Sequence, residues 1–374
     1  MDKGRWKKLL IFSPNVIPTK MHTSELLHIR LYNQLLADHR LQTPEEIVSW
    51  MGAMQSQSLD LAKWAIGTRL NGKNVHDIDE ALNTGKIIRT HILRPTWHFV
   101  SAEDHRWMFE LSKLRLQPIY RSYCKTLGAE ETVIYRAVSV MEKALEGGNH
   151  LTKEEIGAVL QSQGILLDTH HLTITLSYAE MEGTICNGRL KGNKQTFTLL
   201  EEWISPKQPL PKEEAVARLA ERYFSSHSPA TIHDFAWWSG LSLTECRQAV
   251  DMIRSNLICE EINGRSFWMR NDLKTPPAKG DSALLLPPFD EFVVSYKDRS
   301  EIVQDHHYSK VMTKNGLFSP TIMLNGEIIG SWKKSTRKGK NHIELSFFEP
   351  KHAKTADLFT PEVKRLEQFY DAAE

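Results

Sequence analysis

PKEEAVARLAERYFSSHSPATIHDFAWWSGLSLTECRQAVDMIRSNLICEEINGRSFWMR, residues 211–270, decides how the fold is read. Ala215, Val216, Leu219, Ala220 and Tyr223 recur at helical spacing, so a first helix is expected over 212–226. Thr231 stands three residues before Asp234, and Ser242 three before Glu245. These capping pairs open a second helix, ending at Ser239-Gly240, and a third reaching about Ser255. Leu257 to Ile262 and Ser266 to Arg270 then read as strands joined by Asn263-Gly264, a strong two-residue hairpin signal. Three helices followed by a hairpin is the winged-helix plan, whose third helix is placed as in other helix-turn-helix readers of DNA.

The same order of signals occurs twice more upstream. Residues 129–146 carry an apolar stripe of Val133, Ala137, Val140, Met141 and Ala144. Thr152 and Glu155 cap a second helix, and a third runs from about Thr169 to a stop at Gly183. Thr184 to Asn187 and Gln195 to Leu200 flank the turn GRLKGNK, a wing on which Lys191 and Lys194 are candidates for phosphate contact. Nearer the N-terminus, helices are expected over 24–38, 44–54 and 58–70, and IIRTHILRPTWHFVS (87–101) alternates like paired strands. The copies share pattern and little sequence.

The linkers SPKQPLP and KTPPAKGDS agree with these divisions. The expectation is an α+β chain of three tandem winged-helix modules and a small β-rich C-terminal module. Its parts are a tail (1–20), winged helices over 21–125, 126–206 and 207–275, and the β-rich module over 281–374. In that last part ALLLPP, EFVVSY, TIMLNGEIIGSW and HIELSFF read as strands, and a terminal helix spans about Pro361 to Ala372.

Composition narrows the class. At 374 residues, 41% apolar and 25% charged, the chain is in the globular range and long enough for several modules. No apolar run approaches the ~20 residues that span a bilayer, so a cytoplasmic, nucleoid-associated protein is expected, with no membrane partner. Cys124, Cys186, Cys246 and Cys259 are scattered without a CxxC pair, which suits free thiols in a reducing compartment. Net charge is only +1, from 47 basic and 46 acidic residues, so DNA binding requires an uneven distribution of charge. Lys333, Lys334, Arg337, Lys338 and Lys340 form the densest basic run, readable as a phosphate contact or as a solvated hairpin tip. Arg89 and Arg94 could reach phosphates or pair with carboxylates.

Chemical motifs are scarce: there is no Gly-rich phosphate loop, GxSxG elbow or HExxH pattern. His170-His171 and His306-His307 are adjacent, and neighbours on a helix diverge by about 100°, so neither metal nor cofactor is expected. Trp97 and His98 read as strand residues, one of which faces the core, with packing favoured over a catalytic role. MGAMQSQSLDLAKWA (51–65) is unusual, with Gln55 and Gln57 flanking Ser56 between two expected helices. In an extended stretch both amides project from the same side. Asp60 is the nearest carboxylate and a candidate for polarising a water, or else a first-turn helix charge.

The chain resembles the AlkZ-like family of winged-helix DNA glycosylases from about His22 to Trp332. The blocks that carry the resemblance are MGAMQSQSLDLAKWA, RTHILRPTWHFVSAEDHRWM, EGTICNGRLKGNKQTFTLLEEW, SPATIHDFAWWSGLSLTECRQAV and LLPPFDEFVVSYKDR, in the same order. The resemblance implies three tandem winged helices around a concave DNA surface, and excision of alkylated bases or unhooking of crosslinks. It implies Gln55 and Gln57 as the catalytic pair, with Ser56 standing where the family has an aliphatic residue. The partner it implies is double-stranded DNA with alkylated bases, handled by a monomer. A non-enzymatic winged-helix regulator is the alternative; it would bind a palindrome as a dimer and leave no abasic sites.

Overall fold

A computed structural model describes residues 21–126, 130–205, 208–272, 277, 280–337 and 340–371; the tail over 1–20 and Lys338 lie outside them. The N-terminal part runs α1 (Thr23–Asn33), α2 (Pro44–Met51), β1 (Met54–Gln55), α3 (Leu59–Gly67), α4 (Val75–Asn83), β2 (Ile87–His91), β3 (Trp97–Ser101) and α5 (Ala102–Thr126). Thr43 and Glu46 form a capping box that starts α2, with Pro44 at its first position. The helix stops short of the expected residue 54 because Gly52 takes φ +81°, a conformation that suits glycine. The chain leaves that turn extended, and the antiparallel sheet β1-β3-β2 pairs Met54 with Phe99 and Gln55 with His98. Similarly, α1 ends at Asn33 rather than 38, where Leu35 adopts φ +61°.

The middle part holds α6 (Glu131–Leu145), β4 (Leu151–Thr152), α7 (Lys153–Ser162), α8 (Thr169–Glu182), β5 (Ile185–Asn187), β6 (Thr196–Leu199) and α9 (Leu200–Trp203). The Thr152–Glu155 capping box opens α7, and Gly183 closes α8 in the left-handed conformation. Next come α10 (Lys212–Ser226), α11 (Ile232–Ser239), α12 (Leu243–Met252), β7 (Leu257–Ile262) and β8 (Arg265–Arg270). Both capping boxes there form, and Asn263 and Gly264 take φ +51° and +74°, as a tight hairpin with matching twist demands.

The C-terminal part carries β9 (Ala283–Leu286), α13 (Glu291–Val294), α14 (Tyr308–Val311), β10 (Thr321–Leu324), β11 (Glu327–Arg337), β12 (Lys340–Phe347), α15 (Pro350–Ala353) and α16 (Thr360–Asp371). Its four strands form the antiparallel order β12-β11-β10-β9. EFVVSY, expected as a strand, begins instead with the single turn α13. Asp290 caps that turn by accepting from the Phe292 N–H, and all four of its residues are buried, so no alternation of faces can be read.

The cores tie these parts together. Ile88, Val100, Trp107 and Met108 pack with Leu219, Tyr223, Phe235 and Trp238 of the third helical group. Ile47, Met54 and Trp64 pack with Leu285, Trp332 and Phe369 of the C-terminal part. The middle helices keep a core of their own around Met141, Leu160 and Phe197. The Gln-Ser-Gln segment therefore sits where the first, third and C-terminal parts meet. Among the described residues, no helix is long and apolar enough to cross a membrane.

Candidate active site at the Gln-Ser-Gln segment

Residues 54–57 are pinned from both sides. The Gln55 N–H donates to Glu291 Oε1 at 2.6 Å, and the Ser56 N–H donates to the Trp97 carbonyl at 2.7 Å. The Ser56 carbonyl accepts from Arg89 Nε and Nη2 at 3.1 and 2.8 Å. Extended backbone alternates its side chains, so Ser56 turns inward, fully buried, with an Oγ that has no hydrogen-bond partner among the described residues. Gln55 is 7% exposed and Gln57 is exposed.

Each glutamine amide is oriented by a donor. Arg94 Nη2 donates to Gln55 Oε1 at 3.1 Å, and the Trp97 N–H donates to Gln57 Oε1 at 2.9 Å. A guanidinium and a backbone N–H can only donate, so the oxygens must face them. Each oxygen retains a second lone pair, and both NH2 groups are left to other partners. The turn that delivers Arg94 contains Leu93 at φ +60°, a conformation costly for a bulky residue. Burial of the Leu93 side chain and a bond from its N–H to Ser112 Oγ at 2.9 Å hold it there.

Behind Gln55 lies a buried polar cluster. Glu291, 1% exposed, also accepts from Trp238 Nε1 at 3.0 Å and from Ser295 Oγ, and His227 Nε2 lies 3.6 Å from its Oε2. Burial alone would raise its carboxyl; His227, Arg94 and Ser295 outweigh burial and hold it at about 2. His98 is pushed down to about 3 by burial and by Arg94. Its Nδ1 donates to the Thr96 carbonyl at 2.9 Å, leaving Nε2 to accept from Arg94 at 3.3 Å, a neutral tautomer fixed at both ends.

Arg89 is 3% exposed and fully engaged within the chain, by Ser56, by Asn187 Oδ1 at 3.1 Å and by Gln195, with its guanidinium 4.3 Å from the Trp97 ring centre. Burial brings its guanidinium down to about 10. Glu180 holds the same wall by accepting from His91 Nδ1 at 2.5 Å, Trp97 Nε1 at 3.2 Å and Asn187 Nδ2 at 2.9 Å. Trp97, Lys153, Lys194, Gln195 and Phe197 border a cleft of about 270 Å³ on this side. A larger cavity of about 740 Å³, between β8 and residues 297–308, includes neither glutamine.

The remaining sequence candidates have other partners or are exposed. The Asp60 carboxylate is bound by Lys334 Nζ at 2.7 Å, and that ammonium sits 3.6 Å from the Tyr370 ring centre. Lys191 pairs with Glu155 at 2.8 Å, Lys194 lies 3.9 Å from Glu154, and Arg337 pairs with Glu344 at 2.8 Å. Lys333 and Lys340 are exposed. Sequence reasoning did not single out Glu291 or His227, and read Trp238 only as a core candidate. A buried acid within an apolar run, FDEFVV, was the one available signal for Glu291.

Comparisons with known proteins give the family and the fold. A family model described as DNA glycosylase AlkZ-like matches residues 48–369. The interstrand DNA cross-link repair glycosylase of Streptomyces sahachiroi is 22% identical over 324 residues, which cover 81% of this chain and 85% of that protein. The solved structure of Streptomyces sahachiroi DNA glycosylase AlkZ superposes with a TM-score of 0.74 at 19% identity, covering 94% of this chain and 98% of that one. That superposition establishes the mixed helix-and-sheet fold. The family match takes in both glutamines and Glu291, and the chain belongs to the AlkZ-like DNA glycosylase family, hydrolases that act on the N-glycosyl bonds of DNA.

Proposed function

We propose that the enzyme is a monofunctional glycosylase that releases N7- or N3-alkylated purines from duplex DNA, with Gln55 and Gln57 positioning the attacking water. The observation that carries this reading is the fixed orientation of both amides, their oxygens anchored by Arg94 and by the Trp97 N–H. A water can donate to the free lone pair of one oxygen, while an amide NH2 donates to the base edge. The alkylated purine already bears positive charge, so it departs with the electrons of the C1′–N bond as a neutral base. Water oxygen bonds to C1′ of the oxocarbenium-like centre and gives its proton to solvent. The site thus needs positioning more than a strong base.

Three winged-helix units are part of the proposal: α1 to α3 with the β1-β3-β2 sheet, α6 to α8 with β4-β6-β5, and α10 to α12 with the β7-β8 hairpin. Lys191, Lys194, Lys333, Lys334, Arg337 and Lys340 would exchange carboxylate or water partners for phosphates. Arg89 and Arg94 would act from inside, as positioning residues. Unhooking of crosslinks, the activity in the name of the Streptomyces relative, would use the same bond cleavage. In the decisive experiment, purified Gln55→Ala, Gln57→Ala protein loses release of N7-methylguanine from methylated duplex and keeps duplex affinity. Release at the wild-type rate would overturn the assignment.

A further inference from the structure

His306 and His307 close the 3-10 turn Asp305–His307 that leads into α14. In this turn their ring centres come within 3.9 Å, closer than the divergence of neighbours on a regular helix suggests. Both Nε2 atoms face Oε1 of Glu349, at 3.6 Å from His306 and 3.2 Å from His307. We propose that His306 Nε2, His307 Nε2 and Glu349 Oε1 form a binding site for a divalent transition metal ion of the zinc type.

The donor set is two imidazoles and one carboxylate, a combination zinc accepts in tetrahedral geometry. Ligands about 2.0–2.1 Å from a tetrahedral ion are about 3.3 Å from each other. The two separations bracket that edge, and all three atoms lie within 4.8 Å of one another. Lys351 Nζ holds the other carboxylate oxygen, Oε2, at 2.9 Å, which leaves Oε1 turned toward the histidines. His307 is buried and packed 4.9 Å from the Phe348 ring centre, so one ligand is rigid. The His306 side chain is 64% exposed, which leaves the ion a path in and a fourth position for water. His307 Nδ1 is buried without a partner among the described residues and borders a cavity of about 70 Å³ shared with Gln304, Glu327 and His352. Water there would complete the outer hydrogen bond that a ligating histidine requires. The ion would fasten the turn before α14 to Glu349, the residue just before α15. This is a structural clasp, separate from the glutamines.

The test uses full-length protein treated with chelator and then titrated with Zn²⁺ by calorimetry, and with Co²⁺ by visible absorption. One ion should bind with micromolar or tighter affinity and give Co²⁺ the intense bands of a tetrahedral site. His306→Ala, at an exposed position safe for folding, and Glu349→Gln should each weaken Zn²⁺ by at least ~10-fold and remove those bands. Base release by both variants should equal wild type. No binding by the wild-type protein, or equal affinity in wild type and both variants, overturns the proposal.

Discussion

Glu291 Oε1 lies 2.6 Å from the backbone nitrogen of Gln55, a bond that spans 236 residues of sequence. The carboxylate also accepts from Trp238 and Ser295, and His227 Nε2 lies 3.6 Å away, so a buried charge that would otherwise be costly is compensated by several neighbours. Glu291→Gln keeps the volume but loses the charge and puts an NH2 group where two sets of donors converge. Gln55 should shift, and single-turnover base release should fall by ~100-fold, the scale expected when a reacting group is misplaced by about an ångström. Duplex affinity, measured alongside, should stay within a few-fold. An unchanged rate would show that the posture of Gln55 does not depend on Glu291.

Arg94 offers a cleaner separation of roles, because a phosphate contact and a positioning contact behave differently in a mutant cycle. Arg94 donates to Gln55 Oε1 at 3.1 Å and to His98. Arg94→Ala should slow base release by ~10-fold in wild type and have little further effect in the Gln55→Ala background, since contacting residues are not additive. Its effect on duplex affinity should be small in both backgrounds. Additive losses of affinity would instead assign Arg94 to the DNA backbone.

Much of this architecture was legible in the sequence because local chemistry dictates it. Thr231 with Asp234, Ser242 with Glu245 and Thr152 with Glu155 state their helix starts outright, and Asn263-Gly264 states its turn. The strand β1 was hidden because two residues have no periodicity; its geometry depends on Trp97 and Glu291, far along the chain. The 25-residue helix α5 was missed with Pro118 inside it, a residue that normally argues against a helix interior. The pairing of Gln55 with Gln57 was visible, but what holds them was not. Trp97 contributes its backbone N–H, which no side-chain pattern reports.

Two buried histidines give the fold an acid limit. His98 is pushed to about 3 by burial and Arg94, and His105 to about 4 by burial and Arg106. Both stay neutral in the folded protein, whereas in the unfolded chain they take up protons near pH 6.5. Stability is therefore full above about pH 6.5 and declines as pH falls toward the folded values, by up to ~1.4 kcal/mol per pH unit for each histidine. Glu291, held at about 2, adds a further loss below about pH 4.5. The His105 ring stacks on Phe109 at 5.6 Å, and its Nδ1 is buried without a partner among the described residues, so phenylalanine suits the site. His105→Phe should match wild type in urea midpoint at about pH 8 and exceed it at about pH 5. An equal offset at both pH values would rule out His105 as a source of acid sensitivity.

Asp60 separates a catalytic carboxylate from one that masks a DNA contact. Its side chain is 58% exposed and bound by Lys334 at 2.7 Å, while Tyr370 OH donates to its backbone carbonyl at 2.9 Å. A carboxylate committed to a lysine is a poor acceptor for a water proton, and the pair is one a phosphate can compete with. Asp60→Asn should leave single-turnover base release within about threefold of wild type, because amide positioning by Gln55 and Gln57 is untouched. It should strengthen duplex affinity a few-fold and steepen the salt dependence by about one contact, as Lys334 becomes free to reach the backbone. Lys334→Ala should move affinity and salt slope the opposite way. A hundredfold loss of rate in Asp60→Asn, with affinity unchanged, would make Asp60 the residue that polarises the water and reduce the lysine to its partner.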